Sequence, residues 1–114
     1  MIKSIFLIKR KPTITREEFV KHYEEVHVPL VLKHLPWIKG YVRNYVVEIP
    51  GSEELGYDCI TEFWNDGLED LVKSEDFLKS DAGQVIIEDE EKFIDIESRI
   101  ILLVDEKISE IEAS

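Results

Sequence analysis

The sequence predicts a single α+β domain of βαββαβ order, with a four-stranded antiparallel sheet that carries its helices on one face. Three observations predict it. The chain has 114 residues, enough for one hydrophobic core and too few for two. Its apolar period switches between two and near 3.6 in the order strand, helix, strand, strand, helix, strand. Its 44% apolar and 34% charged residues form an ordinary globular composition, without an apolar run of membrane length.

Residues 2–9 alternate, with Ser4, Phe6 and Ile8 on one face and Ile5 and Leu7 on the other, which reads as a strand buried on both sides. Lys11-Pro12 ends it. Thr15 and Glu18 then form a capping box, Ile14 and Phe19 occupy the hydrophobic-staple positions, and Phe19, Tyr23, Val26 and Leu30 follow as the buried stripe of a helix. Pro29 lacks a backbone N–H and clashes with the preceding turn, so a kink or break is expected near His27 and Val28. Residues 41–49 read as a second strand, the PGSEELG stretch as a long hairpin connection, and residues 57–64 as a third strand.

Asp66 is placed to cap a helix carrying Leu68, Leu71 and Val72, and a further helical stretch after Ser80 carries Val85, Ile86 and Phe93. Residues 96–104 are β-branched and apolar, a fourth strand. The domain is therefore expected over residues 1–104, followed by an acidic tail or short helix over 105–114. This order is the ferredoxin-like arrangement. Its helices cover one sheet face only, whereas Ile5, Leu7, Ile101 and Leu103 are expected on the face opposite Phe6, Ile8, Ile100 and Leu102. A second copy packed sheet to sheet would cover that patch, which predicts a homodimer.

The formal net charge of −11 argues against a nucleic-acid partner and against anionic membranes, both of which need a basic face. The charge is polarised, with nine basic and seven acidic residues up to Tyr57 and five and eighteen after it. Cys59 is alone, which excludes an internal disulfide and favours a reducing, cytoplasmic compartment. The opening apolar run is too short for a signal peptide.

Three histidines, His22, His27 and His34, lie in or just after the first helix. At about 100° per residue, His22 falls about 60° to one side of Phe19 and His27 about 80° to the other, bordering any cleft between helix and sheet. There an imidazole titrating near neutrality can take a proton from carbon or oxygen and return it elsewhere. Neither HxxxH nor HExxH occurs, and the nearby acidic residues read as helix surface, so no metal is expected. On the third strand, Asp58, Ile60, Glu62 and Trp64 share one face, and Tyr57, Cys59, Thr61 and Phe63 the other. Glu62, if buried, would have a raised pKa, or would pair with Arg43 or Arg99. GSEELGYD lacks the Lys-Ser/Thr of a phosphate loop and no GxGxxG occurs, so no nucleotide cofactor is expected.

IKRKPTITREEFVKHYEEVHVPLV resembles the opening of EthD-type proteins, YDCITEFWND their third strand, and SEDFLKSDAGQVIIEDEEKFID their final helix. The resemblance spans nearly the whole chain. It implies a dimeric α+β barrel of ferredoxin-like subunits with a cleft for a small apolar or aromatic molecule. Relatives of that superfamily include methylmuconolactone isomerases, polyketide cyclases and dehydratases, and cofactor-free monooxygenases. Carried over residue by residue, the helix pattern falls on His22, Tyr23, His27 and Pro29, and the strand pattern on Asp58, Glu62 and Trp64. The expectation is a cofactor-independent isomerase, cyclase or oxidoreductase with His22 and His27 as catalytic residues and Tyr23, Glu62 and Trp64 binding substrate. A non-catalytic carrier or sensor, or a structural subunit of a degradative complex, is the alternative.

Overall fold

The computed structural model describes residues 2–51 and 56–112. Strand β1 is Ile2–Ile8, β2 Gly40–Tyr45, β3 Cys59–Trp64 and β4 Ile100–Asp105. They form one sheet of order β2-β3-β1-β4, with every neighbouring pair antiparallel, as the ferredoxin-like order requires. Helices α1 (Arg16–His22), α2 (Val28–His34), α3 (Leu68–Lys79) and α4 (Gln84–Phe93) cover one face of this α+β fold. Residues 52–55 of the expected hairpin connection lie outside the described residues.

The register fixes which side chains face the helices. Phe6 pairs with Thr61 on one side and Ile101 on the other, and Ser4 with Phe63 and Leu103, so these side chains share the helix-facing side. Ile5 and Leu7 face away, beside Glu62 and Ile60 of β3 and Leu102 and Ile100 of β4. The expected placement of Ile101 and Leu103 on the outer face is thus reversed. Parity within each strand was right, but antiparallel pairing, which a single strand does not encode, sets how the two strands match.

Local chemistry explains the helix starts. Thr15 accepts from the Glu18 backbone N–H and Glu18 returns the bond to the Thr15 N–H, the capping box in full, while Ile14 packs on the core. Asp66 does not cap α3; Gly67 stands at that position, with no side-chain cap. The second strand is shorter than expected. The fourth begins only after a 3₁₀ turn over Ile96–Ser98, and residues 106–112 form no helix.

The largest departure lies between α1 and α2. The helix does not break at Pro29; it widens into a π-helical turn over Tyr23–His27, in which the Val28 N–H bonds the Tyr23 carbonyl. Proline has no N–H to offer the carbonyl four residues back, and the wider i→i+5 pattern accommodates that loss. One residue is absorbed, so the buried stripe runs Phe19, Tyr23, His27, Val31, Leu35. Val26, expected inside, is 42% exposed.

The core has two parts. Phe19, Tyr23, Cys59, Phe93 and Ile94 pack around Ile8, and Val31, Leu35 and Ile86 gather with Trp37, Phe63 and Phe77. Phe93 joins the first part to both site histidines, its ring centroid 4.7 Å from His22 and 5.0 Å from His27.

Candidate active site

The buried face of α4 carries Ile86, Asp89, Glu90 and Phe93, positions i, i+3, i+4 and i+7, so two carboxylates occupy a core-facing stripe. Asp89 is the centre of the site. One carboxylate oxygen lies 2.9 Å from His22 Nε2 and the other 2.9 Å from His27 Nδ1. In a regular α-helix, residues five apart diverge by about 140°; across a π-helical turn they fall nearly in line, and so both rings reach one carboxylate.

A carboxylate only accepts, so each facing nitrogen carries a proton: His22 Nε2–H and His27 Nδ1–H donate to Asp89. Burial pushes the His27 pKa below its ordinary value, against the opposing pull of the Asp89 bond, which favours the neutral ring, in which Nε2 is bare.

A cleft of about 270 Å³ opens between the helices and the sheet, lined by apolar residues that include Phe6, Val31, Ile38, Phe63, Leu78 and Ile86. Tyr23, His27, Asn65, Glu90 and Arg99 supply polar groups to its wall, and Ile101 and Leu103 of β4 also line it. Arg99 is ion-paired to Glu90. The Tyr23 hydroxyl is 2.7 Å from Thr61 Oγ1 and accepts a bond from the Tyr41 hydroxyl at 3.3 Å, and burial raises both phenol pKa values. Beside them, Glu24 receives a two-pronged bond from Arg43, which holds its carboxyl below the usual range, and a further bond from Tyr45.

Of the residues singled out in the sequence, Tyr23 and His27 line the cleft. His22 does not; it stands behind Asp89 with its side chain 25% exposed. Glu62 and Trp64 lie on the other face of the sheet, away from the histidines, because they alternate with the helix-facing Thr61 and Phe63. There Glu62 bonds Asn44 and Lys3, which lower its pKa, and neither Arg43 nor Arg99 is its partner. Trp64 lies flat over Gly40, beneath the Lys3 ammonium. His34 stacks on Phe77, outside the site. Asp58 holds Arg10 through both its backbone and its guanidinium. Among the described residues, no three His, Cys, Asp or Glu side chains are arranged to hold a metal ion.

Asp89, Glu90 and Arg99 escaped the sequence reading as site residues. The signal was present: acids at the two middle positions of the Ile86 to Phe93 stripe, where a surface helix carries apolar residues.

The EthD domain profile matches residues 11–97. The chain belongs to the EthD family. Among solved structures, this EthD chain is similar to an EthD-family protein of Bacillus halodurans C-125, with 20% identity, 94% of this chain and 100% of the other covered, and a TM-score of 0.69. An EthD-like protein of Ralstonia eutropha JMP134 is 15% identical over 91% of this chain and 89% of its own, with a TM-score of 0.68. A dimeric protein of unknown function with a ferredoxin-like fold, from Bacteroides fragilis NCTC 9343, is 13% identical over 91% and 94%, with a TM-score of 0.61. At these identities the likeness establishes the fold. No functionally curated protein matches the chain.

Proposed function

We propose that this EthD protein is an acid/base enzyme for a small, largely apolar molecule held in the cleft, with His27 Nε2 as the group that takes and returns the proton. The observation that carries the reading is His27 itself: a buried ring, its Nδ1–H engaged by Asp89, on the wall of an apolar cleft. A neutral imidazole held in that tautomer presents a lone pair and no competing N–H at the other nitrogen. Removing a proton next to a carbonyl is the first step of isomerisation, cyclisation and dehydration alike, and the adjacent Tyr23 hydroxyl is a donor for the oxyanion that forms.

The cleft charges also favour a neutral ligand. The Arg99 cation is taken by Glu90, Glu75 adds a negative charge at the wall, and the buried Asn65 Oδ1 has no partner, which suits a ligand that donates a hydrogen bond. Bicyclic ketones such as 2-tetralone are neutral and largely apolar, their enols carry the hydroxyl that can donate, and they serve as probes. In deuterated water the protein should speed exchange of their α-hydrogens, and His27→Ala should lower that rate by roughly 10²- to 10⁴-fold with the fold intact. Chemical-shift changes at Phe6, Tyr23 and Phe63 without any exchange, across a panel of ketones, lactones and phenols, would replace the enzyme by a carrier.

We further propose that the outer sheet face, with Ile5, Leu7, Ile60, Ile100 and Leu102, packs against the same face of a second copy. Ile100 and Leu102 are 41% and 47% exposed in the single chain, and the Bacteroides relative is described as dimeric. Sedimentation at micromolar protein tests it; a species of 13.4 kDa would refute it.

A further inference from the structure

We infer that His22 is a positioning residue for His27, acting through Asp89, and not a second base. The inference rests on the reading of His27 as the proton-transfer group and explains how that group is held ready. Asp89 has two carboxylate oxygens and a single rotatable bond that exchanges them. With only one imidazole to serve, the carboxylate could swing toward the more exposed side of the site or rotate its plane. His22 Nε2–H occupies one oxygen at 2.9 Å, which pins the plane of the group and leaves the second oxygen 2.9 Å from His27 Nδ1. Asp89 is 3% exposed and the His27 side chain 6%, so water has little access to either.

His22 is itself held from behind, since it sits on Phe93 and projects from the last turn of α1, directly before the π-helical turn. The consequence is chemical. Free histidine in water favours the Nε2–H tautomer, in which Nε2 is a donor and useless as a base. The fixed carboxylate reverses that preference at His27, and His22 fixes the carboxylate. The division of labour also accounts for the geometry: His27 borders the cleft, whereas His22 does not.

Long-range ¹H–¹⁵N spectra of the full chain distinguish a protonated from a bare ring nitrogen without any substrate. In the wild type, His27 should show protonated Nδ1 and bare Nε2. His22→Phe keeps a ring against Phe93 but removes the donor, and should convert His27 to a mixture of tautomers. His22→Gln, whose terminal amide can place an N–H near the position of Nε2, should restore the single Nδ1–H form. If His22→Phe fails to fold, His22→Ala takes its place in the comparison.

A wild-type His27 signal intact in the donor-less variant would overturn the positioning role while leaving His27 standing as the base, and so would failure of His22→Gln to restore it. A wild-type His27 already in the Nε2–H form would overturn the base itself. On the exchange assay with 2-tetralone, His22→Gln should retain most of the rate and His22→Phe should lose it. Equal loss in both variants would make His22 an acid/base group in its own right and refute the inference.

Discussion

Asp89→Ala tests the energetics of the site without knowledge of the substrate. The substitution removes both oxygens that the two imidazoles face. His22, with its side chain 25% exposed, turns to water; His27, at 6%, has nowhere to turn. A buried donor left unpaired costs about 1–3 kcal/mol, and losing a hydrogen bond to a charged group at the exposed ring adds roughly 1 kcal/mol, against which removal of a buried charge returns a part. The net expectation is a loss of about 2–3 kcal/mol, or a fall in Tm of roughly 8–12 °C for a domain of this size. Asp89→Asn should cost less, about 1 kcal/mol, because its carbonyl still accepts from His27 while its amide faces a His22 that is free to change tautomer. Urea unfolding at fixed protein concentration reads both, since self-association would make stability depend on concentration. A midpoint for Asp89→Ala within the equivalent of 0.5 kcal/mol of wild type, as estimated for neutral surface changes, would refute the account of a carboxylate that two rings depend on.

Other outcomes follow from separate parts of the fold. Because burial holds the His27 pKa below its ordinary value of 6.5, the unfolded chain binds a proton that the folded chain refuses; stability is therefore full above that value and falls as pH drops through it toward the folded pKa. The slope should flatten in His27→Gln, as read by urea midpoints at several pH values. Phe93→Ala should cost about 3–5 kcal/mol by opening a cavity in the first core cluster, measured by thermal unfolding. Gly40→Ala places a methyl carbon 1.8 Å from the Trp64 ring and should shift the indole, visible as a changed tryptophan emission spectrum, with a cost of about 1–3 kcal/mol. Cys59 is fully buried and its thiol pKa is pushed up to about 11 by burial, so a thiol reagent at pH 8 should label it only at the rate of unfolding.

Features settled by neighbours in the chain were legible in the sequence. Thr15 and Glu18 meet whatever the rest of the molecule does, and strand alternation separated Glu62 from Thr61 correctly. What depended on distant partners was not legible. The face of Ile101 follows from its pairing with Phe6, ninety-odd positions away in the chain, and no pattern within β4 reveals it. A constant 100° step sets His27 beside the stripe, and the π-helical turn over Tyr23–His27 interrupts that step. Asp89 was hidden by its surroundings: in the run Glu88 to Glu91, all four acids look equally solvated, and only the helical phase of Ile86 and Phe93 marks two of them as inward. Glu62 and Trp64 enter the expected site through the strand pattern of the family resemblance and their shared face, and that face is the one turned away from the helices.

The π-helical turn also bears on how kinship should be traced across this family. A turn of this kind differs from an α-helical one by a single extra residue, so a relative without it would show a one-position gap between Tyr23 and Pro29 in any comparison of sequences. Closing that gap would rotate α2 by about 100° relative to α1, take the counterpart of His27 off the axis of His22 and bring a different side chain to the α4 carboxylate. Two family members could then agree at every strand and still possess unrelated chemistry. The spacing of five between the histidines, in an HxxxxHxP segment paired with a DExxF helix, is therefore the pattern that would mark chains in which two imidazoles share one carboxylate.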